Sequence, residues 1–174
     1  MKIAISGSGR DKGIDPKIAE KAKELGRELA KQGHILLTGG CGGYPKAAAQ
    51  GALEENGKVI AYSPAKDEEE HIERYGFTTE DFSQIKYTGL GIPERNVPLV
   101  KDANAIIIIG GQTGTLNEFT LAFHEAKPVG VLKGSGGITE LIPKIAEVCD
   151  KIGEKDLVVL SDKPKELVEK LLTV

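Results

Sequence analysis

Short runs of apolar, mostly β-branched residues alternate along the chain with longer stretches in which apolar positions recur every three to four residues. The first pattern marks strands and the second amphipathic helices, so the chain is expected to form βα units around a parallel sheet. Seven strands are expected, at Lys2–Ser6, His34–Thr38, Lys58–Tyr62, Gln84–Thr88, Ala105–Ile109, Val129–Leu132 and Leu157–Leu160. The fifth, within AIIIIG, is apolar at every position, as a central strand covered on both faces must be. After the first strand, Asp15-Pro16 supplies an N-cap and a proline at the first helical position. Ala19, Ala22, Leu25, Leu29 and Ala30 then recur on one face of a helix that ends near Gly33. Further helices are expected at Tyr44–Glu55, Pro93–Lys101, Gly114–Ala126, Ile138–Lys151 and Pro164–Leu172.

The stretch KDEEEHIERYGFTTEDF, residues 66 to 82, departs from the pattern, being acidic and without a sustained apolar face. It reads as a charged surface loop that holds one turn of helix. The alternative is a mobile lid over a ligand, since long connections are often functional.

Four expected strands run into glycine-rich turns: SGSGR after the first, TGGCGG after the second, GGQTGT after the fifth and KGSGG after the sixth. In a parallel sheet these turns share one edge, where ligands of open α/β sheets bind. Glycine admits close backbone approach, and each following helix offers free N–H groups and a positive dipole end to an anion. A phosphate-bearing ligand is the expected occupant. The candidate binding residues are Gly7, Ser8 and Gly9 in the first turn and Gly39, Gly40 and Gly43 in the second. Gly110, Gly111, Gln112, Thr113, Gly114 and Thr115 complete the set.

Composition narrows the partners. With 23 basic against 26 acidic residues, the chain lacks the bulk positive charge that duplex DNA or a membrane surface requires. Only four basic residues are arginines (Arg10, Arg27, Arg74 and Arg95), so the places where arginine's bidentate fork does occur are informative. Two cysteines, Cys41 and Cys149, are too few for a zinc ribbon or disulfide framework, which favours a reducing, cytoplasmic setting. The opening MKIAISGSGR has the form of neither a signal peptide nor a membrane span. The length suits a single domain spanning residues 1–174. The three histidines have no metal-ligand spacing, and no metal is expected.

The common nucleotide fingerprints do not fit. GSGRDKG displaces the third glycine of GxGxxG and the second strand ends in Thr38-Gly39-Gly40 rather than an acid, which disfavours NAD. The pattern GxxxxGK[ST] is missing, which disfavours P-loop hydrolysis of ATP.

The segment GIPERNVPLVKDANAIIIIGGQTGTLNEF resembles the LOG-like, molybdenum-cofactor-carrier-like and DprA-related Rossmann proteins, often mislabelled as lysine decarboxylases. Arg95, Gly111, Gly114, Thr115 and Glu118 match the spacing of the LOG phosphoribohydrolases. Gly110 stands where those enzymes have proline, Gln112 where they have glycine, Asn117 where they have the first of two acids, and Asn96 where lysine follows the arginine. These departures resemble the carrier-like branch more closely. The similarity runs through most of the first 130 residues and implies a Rossmann-like three-layer α/β sandwich with a mostly parallel sheet of about seven strands.

For LOG enzymes, the resemblance implies hydrolysis of the bond between a base and ribose 5′-monophosphate, with Arg95 and Glu118 catalytic. A carboxylate suits the oxocarbenium character that such cleavage develops, and an arginine orients it or the ligand. The alternative is a non-catalytic nucleotide or molybdenum-cofactor carrier. No cofactor is required by either reading beyond a bound nucleotide or phosphate. Without the resemblance, Glu118 reads equally as an acid at a helix N-terminus with Arg95 as its surface partner. Lysine decarboxylation would need pyridoxal phosphate on a lysine, and no motif supports one. The resemblance further implies a homodimer or higher homo-oligomer packed through helices. Single-stranded nucleic acid is disfavoured by the 5% aromatic content.

Overall fold

The computed structural model describes residues 1–150 and 153–174. Seven strands, β1 (Lys2–Gly7), β2 (Ile35–Thr38), β3 (Val59–Ser63), β4 (Gln84–Tyr87), β5 (Ala105–Ile109), β6 (Val129–Leu132) and β7 (Val158–Ser161), form one sheet in the order β4-β3-β2-β1-β5-β6-β7. Every neighbouring pair is parallel, so the sheet is entirely rather than mostly parallel and the architecture is α/β Rossmann-like. The chain builds outward from β1 to β4, then returns to place β5 against the free side of β1, pairing Ser6 with Ile108 and Gly7 with Ile109. Strand order therefore reverses between β1 and β5, and the loops leaving these two strands diverge to opposite faces.

The strand period of two divides the apolar residues between two cores. Ala105, Ile107 and Ile109 of β5 face one core, built with helices α1 (Pro16–Lys31), α2 (Gly43–Glu54) and α8 (Pro164–Leu171). Ile106 and Ile108 face the other, built with α5 (Asn96–Asp102), α6 (Thr113–His124) and α7 (Ile142–Cys149). All five β5 residues are buried, and each isoleucine there contributes about 1.5–3 kcal/mol relative to an exposed position. Helix α1 begins as expected, with Asp15 accepting from Lys17 N–H at 2.8 Å and proline at N1.

Three expectations are corrected. The acidic stretch contains a helix, α3 (Glu68–Glu73), capped by Asp67, whose carboxylate accepts from Glu70 N–H at 2.9 Å. His71 is fully buried there in a structural role, hydrogen-bonded to the Ser63 hydroxyl at 2.8 Å and the Thr78 carbonyl at 3.0 Å. The helix expected over Pro93–Lys101 is instead two, α4 (Gly91–Glu94) and α5, meeting at Arg95. The helix expected over Ile138–Lys151 begins as a 3-10 turn at Gly137–Glu140 and continues as α7 from Ile142, with Pro143 in its first turn. Its expected end at Lys151 lies outside the described residues. Among the described residues no helix is long and apolar enough to cross a membrane.

Candidate functional site

At the carboxyl edge of the sheet, the diverging β1 and β5 loops open a cleft of about 700 Å³, a size that accommodates a small-molecule ligand. The β1 loop supplies Gly7, Ser8 and Gly9, and the start of α6 supplies Gln112 to Thr115. Arg95 and Glu118 lie deeper in, while Arg74, Tyr75 and Phe77 approach from the segment after α3.

The turn between β5 and α6 shapes the cleft. Gly110 and Gly111 have φ of +59° and +88°, a region that side chains disfavour, and this reversal starts α6 beside β1. Their amides are already used: Gly110 N–H donates to the buried Ser135 hydroxyl at 2.8 Å, and Gly111 N–H to the Ser8 hydroxyl at 3.0 Å. The Gly111 carbonyl accepts from Ile138 N–H at 2.9 Å. Beyond the turn, α6 has no side-chain cap and no acid in its first turn. Thr113, Gly114 and Thr115 line the cleft, so the first turn of α6 borders it with its positive dipole end offset by neither a side-chain cap nor an acid.

Arg95 and Glu118 are not a surface pair, being only 6% and 7% exposed. The Arg95 guanidinium rests against Gly39, where any side chain would collide with it. Its Nε and Nη1 are buried without a hydrogen-bond partner among the described residues. Buried guanidinium nitrogens without a hydrogen bond are costly, and a carboxylate or phosphate oxygen in the cleft is the natural remedy. Glu118 accepts from the Ser6 hydroxyl at the end of β1. Burial pushes the Glu118 carboxyl above its ordinary range, against the opposing pull of the Arg95 charge and the Ser6 hydrogen bond.

Of the expected binding residues, Gly7, Ser8, Gly9, Gln112, Thr113, Gly114 and Thr115 line the cleft with Arg95 and Glu118. Gly39, Gly40, Gly43, Gly110 and Gly111 stand behind its surface. Gly40 N–H donates to the Thr38 hydroxyl at 3.1 Å and Gly43 N–H to the Asp11 carboxylate at 2.7 Å, so these amides are occupied by the protein itself. The KGSGG turn likewise buttresses the β5 turn through Ser135 and does not line the cleft. Sequence reading missed Arg74, Tyr75 and Phe77; the signal available was the Asp67-x-x-Glu70 spacing, which starts a helix and so brings the following residues back to the sheet edge.

The model of the SLOG cluster4 family matches residues 1–168. The chain belongs to the SLOG cluster4 family. An uncharacterised protein of Archaeoglobus fulgidus is 34% identical over 134 residues, 76% of this chain and 80% of that protein. The X-ray structure of TM1055 superposes with a TM-score of 0.84 at 26% identity, covering 99% of each chain. The molybdenum cofactor carrier protein of Chlamydomonas reinhardtii gives a TM-score of 0.79 at 26% identity, also over 99% of each chain. The resemblance read from the Arg95 to Glu118 segment thus holds across the fold.

Two further residues of this SLOG cluster4 chain lie at the cleft with different roles. The Cys41 thiol is pushed up by burial more than the neighbouring Arg95 charge lowers it, so it is no activated thiolate. The buried Tyr44 accepts from Asp15 N–H at 3.1 Å through its hydroxyl, tying α2 to the start of α1. Among the described residues, no three His, Cys, Asp or Glu side chains are grouped to hold a metal ion.

Proposed function

We propose that this chain binds a phosphate-bearing ligand of the nucleotide or molybdenum-cofactor type in the cleft between β1 and β5 and holds it without hydrolysing it. The observation that carries this reading is the buried Arg95 guanidinium with two unpaired N–H-bearing nitrogens, lining the same cleft as the uncapped start of α6. Both are anion-recognising features: the Arg95 Nε and Nη1 have no hydrogen-bond partner among the described residues, and the start of α6 has no side-chain cap. The similarity to a carrier protein over the full chain supports retention rather than reaction.

Hydrolysis of a nucleoside 5′-monophosphate is the second reading, favoured by Arg95 and Glu118 facing one cleft. It requires an ionised Glu118 to stabilise an oxocarbenium ion or activate water, and burial works against that ionisation. Asn117, which stands where LOG enzymes have an acid, removes a second carboxylate. The test is incubation with a panel of nucleoside 5′-monophosphates and with molybdenum cofactor, followed by native mass spectrometry of the protein and mass spectrometry of the supernatant. Intact ligand on the protein with no free base supports carriage. Free base and ribose 5-phosphate, lost in Glu118→Gln, replaces it with hydrolysis.

In the same reading the protein resides in the cytoplasm, which its free cysteines suit. It also assembles as a homo-oligomer through its helices. Exposed Leu141 and Val148, beside and within α7, favour such a contact. Light scattering that gives a monomer at micromolar concentration removes this part.

A further inference from the structure

Three of the chain's four arginines, Arg10, Arg74 and Arg95, line the cleft together with Lys12. Glu118 is the one acid among the described lining residues, although acids outnumber bases in the chain, 26 to 23. Arg95 is deep and Glu118 beside it is held toward neutrality, whereas Arg10 and Lys12 are exposed at the mouth. Asp11, between them in sequence, makes no ion pair with either among the described residues; its carboxylate accepts from Gly43 N–H at 2.7 Å at the start of α2. Neither Arg10 nor Lys12 makes an ion pair among the described residues. Cationic groups thus occupy two depths of the cleft, beyond what a single phosphate at Arg95 would use.

The wall near the mouth is aromatic. Tyr75 and Phe77 are half-buried and stacked, with ring centroids 5.6 Å apart and planes 25° from parallel. Arg74, paired with Glu70 one helical turn back, lies 5.3 Å from the Tyr75 ring centroid. The buried His71, edge-on to Phe77 at 5.4 Å, anchors this segment to the sheet. A stacked pair of fixed rings offers a planar heterocycle a surface at low entropic cost.

We infer that the ligand is a planar heterocycle joined to at least two phosphates, as in a nucleoside diphosphate. One phosphate meets Arg95 and the first turn of α6, another meets Arg10 and Lys12, and the ring lies against Tyr75 and Phe77. This deepens the binding reading above and rests on it.

Titration calorimetry with AMP against ADP, and GMP against GDP, at low salt tests the inference. One diphosphate is expected to bind about tenfold or more tighter than its monophosphate, an advantage that shrinks as salt is raised. In the Arg10→Ala/Lys12→Ala double variant the advantage falls below about twofold, while Lys165→Ala, an exposed lysine away from the cleft, retains it. Equal affinity for mono- and diphosphate overturns the second phosphate site and leaves the binding reading standing. A diphosphate advantage that survives the double variant overturns the roles of Arg10 and Lys12. Binding by none of the four nucleotides overturns this inference, and an empty cleft in the mass-spectrometric test above is what overturns the broader reading.

Discussion

The guanidinium of Arg95 fills the space that a side chain at Gly39 would occupy. The glycine that follows β2 therefore seats the cation. Gly39→Ala is expected to expel the guanidinium and weaken ligand binding about tenfold or more, matching Arg95→Ala, as read by calorimetry. Arg95→Met separates binding from folding. It removes a buried charge whose Nε and Nη1 lack a hydrogen bond but which also offsets Glu118, so the melting temperature of the free protein is expected to stay close to the parent's while binding is lost. A melt lowered by several degrees would show that Arg95 holds the fold together.

Asn96 and Asn117, both departures from the LOG pattern, bond to each other: the buried Asn96 amide donates to the Asn117 carbonyl oxygen at 2.8 Å. Asn117→Asp retains an acceptor and is expected to unfold in urea close to the parent. Asn117→Leu leaves the Asn96 amide only its longer bond to the Gly114 carbonyl, at 3.5 Å, at a cost of about 1–3 kcal/mol. Equal urea midpoints for the two variants would remove the pair from the stability of the α5–α6 junction.

Glu118 sets a pH dependence whose sign follows from its raised carboxyl. Between the ordinary carboxylate value and the elevated folded one, the native state binds more protons than the unfolded state, so stability falls as pH rises through that window. Glu118→Gln lacks this fall. The melting temperature of the variant minus that of the parent is expected to increase from pH 4 toward pH 8. A difference that stays flat across this range would mean that burial does not perturb Glu118.

The two cysteines report on the cleft. Cys149 is exposed, whereas Cys41 is half-buried with its thiol raised by desolvation. Iodoacetamide at neutral pH is expected to label Cys149 first and Cys41 at least about tenfold more slowly, by peptide mass spectrometry. Faster labelling of Cys41 would reveal a thiolate and reopen its chemical role.

The sheet was legible because parallel strands buried on both faces read as unbroken apolar runs, of which AIIIIG is the extreme. The ligand edge was legible from glycines following strands. What escaped was whatever depends on residues distant in sequence. The Ser8 hydroxyl on Gly111 N–H spans 103 positions, and nothing near Gly39 announces Arg95. Helix α3 escaped for a local reason: with six residues and a single fully buried side chain, His71, it has too short an apolar face for periodicity to register. The split at Arg95 did leave a local signal: in a helix begun at Pro93, Pro98 would fall in the interior, where it has no N–H to donate, whereas in α5 it falls in the first turn.

Ser8 and Ser135 bond the two glycine amides of the β5 turn from opposite sides, which leaves that turn's shape independent of whatever the cleft contains. Gln112 and Thr113, exposed just beyond it, are free of that framework. Substitutions at these two positions should therefore redirect ligand choice without a folding penalty. The same scaffold can then diverge in specificity by changing its vocabulary while keeping its grammar, and a small library at Gln112 and Thr113 is the natural starting point for redesign.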